Sequence, residues 1–285
     1  MKIGILISGK SKYTEYFNWN ITHVFNQIKE HEFEIYSLTW DTPADSLSDY
    51  TLIDSKSQSD LLRPIYDKVR DWNGDNELVK KLFSKHWLGK DDFDSFCNQV
   101  GQLAGTHEVY QLAKDSDIDY FIRVRTDLIF DPESFQSGLG ALLKMLRDIK
   151  FSKEAGIIVP LSKIFKGHGI IGDWWWAFDR NSAEKLFDGF YDKLIKLFTS
   201  DIEYMYHILA KPKWMITHSV MSCWLHYNKC HTIDFNYVNK RPIDCILLRR
   251  NCQEIELDEI NDLSYTDWVD MYYEIQEQFC VSPVD

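Results

Sequence analysis

Along the first half of the chain, short apolar runs alternate with segments whose apolar residues have the spacing of a helix. Residues 2–8 and 33–40 predict two buried strands, and residues 119–125 predict the clearest strand of the sequence. The segment 18–30 predicts a helix whose apolar face consists of Ile21, Val24, Phe25 and Ile28. Because strands and helices alternate, we predict an α/β fold with a mainly parallel central sheet flanked by helices.

Beyond these strands the pattern is less regular. The Pro/Ser/Asp-rich segment 42–57 predicts a loop, and residues 161–172 predict a second loop that contains glycine. Asp131 followed by Pro132 predicts the start of a helix, with the aspartate as its N-cap. The remaining expected elements are two or three helices between 58 and 115, a strand at 155–160, helices at 181–198 and 201–210, strands near 232–238 and 243–249, and a helix near 265–278.

The composition is typical of a globular enzyme and narrows the classes of ligand. Of the 285 residues, 45% are hydrophobic, which is enough for a substantial core. The formal net charge of −12 argues against general nucleic-acid binding, which depends on Lys and Arg neutralising phosphates. An anionic nucleotide would therefore need local cations, either Arg and Lys side chains or a bound divalent metal.

The six cysteines indicate buried thiols rather than a zinc site. They form no CxxC pair, and the gaps from Cys223 to Cys230 and from Cys245 to Cys252 are too wide for a usual zinc knuckle. Reduced thiols are typical of the cytosol. No apolar stretch approaches the ~20 residues of a membrane-spanning helix, and the first apolar run is too short for a signal peptide. We therefore expect a cytoplasmic protein with no transmembrane segment.

Three short segments follow predicted strands, which is where ligands bind in parallel α/β sheets. They are Ser8 to Lys12, Trp40 with Asp41, and Arg125 to Asp127. In the first two, the candidates to border a nucleotide are Ser8, Gly9, Lys10 and Asp41. Lys10 is equally compatible with a solvated loop charge.

Arg123, Arg125 and Asp127 are expected on one face of the strand at 119–125, because side chains alternate along a strand. Several charges along one face of a buried strand are costly unless each is paired with an opposite charge or binds a ligand. One interpretation is a diphosphate or metal–diphosphate site at the end of the strand. The other is a structural ion pair, which applies above all to Arg123, the deepest of the three.

The run from Tyr120 to Phe130 resembles the R-x-R-x-D-hydrophobic strand of bacterial and viral GT-A-like glycosyltransferases. In that family it takes the place of the metal-binding DxD motif. Further segments are similar to the same family in order and spacing, over roughly residues 1–210: an opening strand with a Ser-Gly loop at 5–10, a strand-closing Trp at 38–41, acceptor-side segments at 172–178 and 181–184, and a helix opening at 201–203.

The resemblance implies a single GT-A-like, Rossmann-like domain over 1–285, with a nucleotide-binding half at 1–135 and an aromatic-rich, acceptor-binding half at 136–285. It implies a glycosyltransferase, of the kind used in polysaccharide biosynthesis, that moves a sugar from a nucleotide-sugar to a carbohydrate acceptor. Arg125 stands where a full DxD would have an acid, which leaves Asp127 as the metal ligand. Dependence on Mn²⁺ or Mg²⁺ is open, because Arg125 could bind the diphosphate itself.

An inverting transferase also needs a carboxylate that takes the proton of the acceptor. Asp173 is the first candidate because it precedes an aromatic segment, and Glu203 is the second. Each has a structural alternative: a capping aspartate, and a first-turn glutamate favoured by the helix dipole.

Aromatic rings can stack on the apolar faces of a sugar. The candidates for acceptor binding are His168, Trp174, Trp175 and Trp176. We expect at least one of the tryptophans in the core, and His168 is equally compatible with a surface loop.

Two other classes remain open. Gly4 to Ser11 matches the P-loop pattern G-x-x-x-x-G-K-S, but the middle residues form a strand themselves, whereas a P-loop follows a strand. The other alternative is a non-catalytic carbohydrate-binding protein that keeps the same fold.

Overall fold

The computed structural model describes residues 2–9, 20–21, 24–25, 28–41, 51–72, 92–126, 128–160, 162–165, 168–171, 174–200, 216–239, 243 and 245–247. The strands are β1 (Lys2–Gly9), β2 (Glu32–Trp40), β3 (Thr51–Lys56), β4 (Tyr120–Arg125), β5 (Leu128–Phe130), β6 (Gly156–Val159), β7 (Ser162–Phe165), β8 (His168–Ile171), β9 (Trp175–Asp179), β10 (His231–Asp234) and β11 (Cys245–Leu247). The helices are α1 (Gln58–Trp72), α2 (Asp92–Ala113), α3 (Pro132–Ser152), α4 (Arg180–Phe187), α5 (Phe190–Ser200), α6 (Ile216–Tyr227) and α7 (Phe235–Val238).

A seven-stranded sheet in the order β10-β6-β9-β4-β1-β2-β3 forms the centre of the described fold. Strands β1 to β4 run parallel to one another, and β6 runs parallel to β10. Only β9 is antiparallel to its two neighbours in this sheet, β4 and β6. The predicted α/β class with a mainly parallel sheet is therefore confirmed.

Apolar side chains cover both faces of this sheet, which explains why its central strands read as continuous hydrophobic runs. Leu6 and Phe121 belong to the core on the face covered by α2, whereas Ile5 and Val124 belong to the core on the other face. The apolar face predicted for segment 18–30 packs into this second core, since its four members are all buried there: Ile21, Val24, Phe25 and Ile28.

Helix α3 begins as the sequence predicts. Asp131 is its N-cap, with Oδ2 accepting a hydrogen bond from the Ser134 backbone N–H at 2.7 Å, and Pro132 occupies the first turn. Helix α2 lies against β1 and β2. No helix in the described residues is long and apolar enough to span a membrane.

Several local predictions differ from the structure. Residues 51–56 form the edge strand β3 rather than a loop, because they pair with β2 from Ile35 to Trp40. Within the loop predicted at 161–172, residues 162–165 and 168–171 form the antiparallel strand pair β7 and β8. The helix predicted at 181–198 is divided into α4 and α5 at Gly189, whose φ of 62° is left-handed.

The C-terminal third also departs from the sequence-based pattern. The strand predicted at 232–238 ends at Asp234 and continues as the short helix α7, while α6 was not predicted. The helices predicted at 201–210 and 265–278 lie outside the described residues.

Candidate active site

The candidate site lies at the edge of the sheet where the parallel strands end. Ser8 near the end of β1 pairs with Leu38 of β2 on one side and with Arg125, the last residue of β4, on the other. Because β9 is antiparallel to β4, it starts at this edge, with Trp175 opposite Val124. The structure thus gathers at one edge the strand ends from which the sequence predicts binding residues.

Gly9 allows the end of β1 to approach the turn that follows β4. A Cβ atom at this position would overlap Thr126 Oγ1 and stand 3.3 Å from Thr126 Cγ2. Thr126 is itself buried. The glycine is therefore explained by close packing between the two strand ends, a reason that the sequence alone does not reveal.

Ser8 is buried beneath helix α2. A Cβ added to Gly105 of that helix would stand 3.2 Å from Ser8 Oγ and from Trp40 Cζ2, so α2 packs closely on both strand ends. Ser8 Oγ has no hydrogen-bond partner among the described residues. Ser8 is 4% exposed, so a ligand at the edge of the sheet would meet little of its side chain in this arrangement.

Asp41 is exposed and has a left-handed backbone, with φ of 58°. Its backbone N–H donates to the Lys56 carbonyl at 3.1 Å, and its Oδ1 accepts from the Gln58 N–H at 3.2 Å. The side chain thus stabilises the start of α1. Positive φ is uncommon outside glycine, and such residues concentrate at functional sites.

Arg123 and Arg125 differ in depth. Arg123 is 1% exposed, and its guanidinium carbon lies 5.6 Å from the centroid of the Trp176 ring. Arg125, at the end of β4, is half-buried. A ligand beyond the edge of the sheet would therefore meet Arg125 before Arg123.

The three consecutive tryptophans also separate by burial. Trp174 is 38% exposed, whereas Trp175 and Trp176 are 1% and 0% exposed in the two opposite cores. In this arrangement the two buried rings are not accessible to an acceptor, because side chains alternate along β9 and these two pack into the cores on the two faces of the sheet. Of these three rings, only that of Trp174 is exposed.

Other predicted site residues lie outside the described part of the chain: Lys10, Asp127, Asp173 and Glu203. His168 begins β8 opposite Phe165. The described residues contain no group of three His, Cys, Asp or Glu side chains that could hold a metal ion. The metal site predicted at Asp127 stays a prediction.

The P-loop interpretation does not fit the structure. Gly4 to Gly9 lie within β1, which pairs with β2 and β4 on its two sides. A Cβ atom on Gly4 would stand 2.7 Å from Phe121 Cδ1, so this glycine serves packing inside the sheet.

A buried polar cluster around Glu108 lies beside this edge and could not be predicted from the sequence. Glu108 of α2 accepts hydrogen bonds from His107 Nδ1 at 2.7 Å, from the Tyr191 hydroxyl at 2.6 Å and from Lys56 Nζ. The one local signal is the adjacent pair His107 and Glu108 within the sequence of α2. Its partners lie 52 and 83 residues away, where no local pattern reveals them.

This cluster keeps the Glu108 carboxylate ionised. Burial on its own would raise the pKa of Glu108, but the hydrogen bonds from His107, Lys56 and Tyr191 outweigh it and lower the pKa to about 2. Burial and the bond to Glu108 both raise the pKa of Tyr191. The tyrosine therefore stays a neutral donor.

No family model and no curated protein matches the chain. Among solved structures, the chain is similar to mouse xyloside xylosyltransferase 1 in its apo form, with 10% identity, a TM-score of 0.41 and coverage of 82% of this chain and 84% of that one. It is also similar to the galactosyltransferase LgtC in complex with donor and acceptor sugar analogues, with 8% identity, a TM-score of 0.49 and coverage of 99% and 98%.

Proposed function

We propose that this protein is a glycosyltransferase that moves a sugar from a nucleotide-sugar to a carbohydrate acceptor. The observation that carries the proposal is the position of Arg125 at the carboxyl edge of the sheet, between the end of β1 and the start of β9. Ligands of open α/β sheets bind beyond this edge. A half-buried arginine there supplies the local cation that an anionic donor needs in a chain of net charge −12.

The chemistry of transfer explains why a cation is needed. As the bond to the anomeric carbon breaks, the departing nucleoside diphosphate gains negative charge. A guanidinium that binds the diphosphate with two parallel hydrogen bonds stabilises this charge more in the transition state than in the ground state. We assign this role to Arg125.

The acceptor side of the proposal rests on Trp174 and on two carboxylates. Trp174 is exposed at the edge where β9 starts, and its ring can stack on a sugar. By the family resemblance, Asp173 is the first candidate for the base that takes the proton of the acceptor, and Glu203 is the second.

A divalent cation would depend on Asp127. No three His, Cys, Asp or Glu side chains of the described residues come together to hold one, so Asp127 and the phosphates of the donor would supply its ligands. When bound, Mn²⁺ or Mg²⁺ would neutralise charge on the diphosphate.

Binding of nucleotide-sugars is the direct test. We expect a panel of nucleotide-sugars and nucleoside diphosphates, each with and without Mn²⁺, to contain at least one ligand that raises the Tm, since a ligand stabilises the state that it binds. Arg125→Met should abolish this rise. Arg147→Met, which removes an exposed arginine from α3, is the matched control and should preserve it.

Turnover distinguishes a transferase from a non-catalytic carbohydrate-binding protein. We expect slow hydrolysis of the bound donor without acceptor, and loss of this activity in Asp127→Ala. A protein that binds sugars but neither binds nor hydrolyses any nucleotide-sugar would contradict the proposal.

A further inference from the structure

The cluster around Glu108 joins three elements of the fold. Glu108 belongs to α2, Lys56 is the last residue of β3, and Tyr191 lies in the first turn of α5. The Glu108 side chain is 6% exposed, which makes an ionised carboxylate costly unless its oxygens are satisfied. Three donors satisfy them.

The hydrogen bonds are divided unequally between the two oxygens. His107 Nδ1 and the Tyr191 hydroxyl both bind Oε1, at 2.7 and 2.6 Å. The His107 ring also stacks on Phe190, with centroids 4.5 Å apart and an interplanar angle of 11°. These two donors occupy Oε1, whereas Oε2 accepts from Lys56 Nζ.

Lys56 connects this carboxylate to the candidate site. Its carbonyl accepts the backbone N–H of Asp41 at 3.1 Å, just where the chain turns with a left-handed residue at the edge of the sheet. Gly105, one turn before Glu108 in α2, packs on Ser8 and Trp40 at the same edge. Glu108 therefore ties the end of β3 to the helix that covers the ends of β1 and β2.

We propose that Glu108, acting through Lys56, is a positioning residue that holds the turn at Asp41 in the geometry that binds the donor. This inference rests on the proposed function. Glu108 does not touch the ligand itself. Tyr191, on the other oxygen, serves the packing of α5 instead.

Three variants separate positioning from general stability. Lys56→Met removes the bond toward the site, Glu108→Gln removes the charge that attracts Lys56, and Tyr191→Phe removes one hydroxyl on the side away from the site. We expect the first two to weaken the affinity for the nucleoside diphosphate selected by wild type by about tenfold or more, since small misplacements in a binding site are costly. Tyr191→Phe should lower the Tm but change the affinity less than about twofold.

The same variants exclude a direct contact between Lys56 and the ligand. If Lys56 bound the phosphates, Glu108→Gln would release its ammonium group and preserve or tighten binding, which would overturn the proposal. Equal losses of affinity in Lys56→Met and Tyr191→Phe would overturn it too, because affinity would then follow stability alone. If Glu108→Gln does not fold, the comparison of the affinities of Lys56→Met and Tyr191→Phe decides the question.

Hydrogen exchange without ligand keeps this test independent of the proposed function. The Asp41 amide should exchange faster in Lys56→Met than in wild type, and Tyr191→Phe should leave it unchanged. Unchanged exchange in Lys56→Met refutes the positioning role. If wild type binds no nucleotide while exchange changes as expected, the proposed function fails but the coupling of Lys56 to the edge stands.

Discussion

Substitution of Gly9 by alanine tests the packing that brings two strand ends together at the candidate site. The added Cβ would overlap Thr126 Oγ1 and stand 3.3 Å from Thr126 Cγ2. Only the χ1 rotamer that turns Hβ toward the new Cβ would relieve the overlap, and χ1 of a β-branched residue is restricted. Either Thr126 changes its rotamer inside the packing or the two strand ends separate.

The expected cost follows from overpacking against the buried side chain of Thr126. Such insertions destabilise by about 1–3 kcal/mol, and in a chain of this size each kcal/mol lowers the Tm by roughly 2–4 °C. Gly140→Ala is the matched control, because a Cβ there meets nothing within 4 Å on the exposed face of α3. Replacing that helical glycine should stabilise the protein by up to about 1 kcal/mol.

Denaturant unfolding of a double-mutant cycle is the assay. Thr126→Ala removes the atoms that meet the new Cβ, so Gly9→Ala should cost at least about 1 kcal/mol less in that background than in wild type. The reasoning is refuted if Gly9→Ala is as stable as wild type. It is also refuted if its cost is the same with and without Thr126, because the strain would then lie elsewhere.

Three further predictions concern single side chains. Trp176→Ala should destabilise by about 3–5 kcal/mol because it empties a core position, whereas Trp174→Ala should change stability by less than about 0.5 kcal/mol and weaken acceptor binding, as measured by unfolding and titration. Asp131→Ala should lower the free energy of unfolding by about 1 kcal/mol, because α3 loses its N-cap, as measured by thermal unfolding. Asp131→Asn should retain most of the stability of the wild type, because asparagine can also cap a helix. The pKa of Glu108 is lowered from 4.5 to about 2, so its ionised form stabilises the folded protein by an amount on the order of 2 kcal/mol. This contribution to the free energy of unfolding should be complete above pH 4.5 and lost as the pH falls toward 2. Glu108→Gln should lack this acid-sensitive component.

The strands that position the site could be predicted because they are buried on both faces. For β1, β2 and β4, burial gives continuous or alternating apolar runs whose ends coincide closely with the observed ends. Because the carboxyl ends of parallel strands share one edge, the candidate edge followed from their order alone.

The elements that sequence reasoning missed have weak local signals. β3 is an edge strand that follows a Pro/Ser/Asp-rich segment, and its extended form depends on pairing with β2, some 16 residues earlier in register. The paired strands β7 and β8 have only four residues each. The Glu108 cluster depends on contacts between distant segments, which propensity cannot supply.

The sequence left one further quantity open, which is the distance of a side chain from the end of its strand. This distance separates two otherwise similar arginines of β4. Arg123 and Arg125 are two positions apart in β4 and so face the same side, yet one lies over Trp176 inside the core and the other ends the strand. Alternation fixes the face of a side chain but not its distance from the edge. Beside β4, β1 ends at Gly9 and β9 starts at Trp175, so Arg123 lies between neighbouring strands on both sides whereas Arg125 lies at the last pair with β1. The same packing that encloses Arg123 therefore leaves Arg125 at the edge, where we propose that the diphosphate of the donor binds.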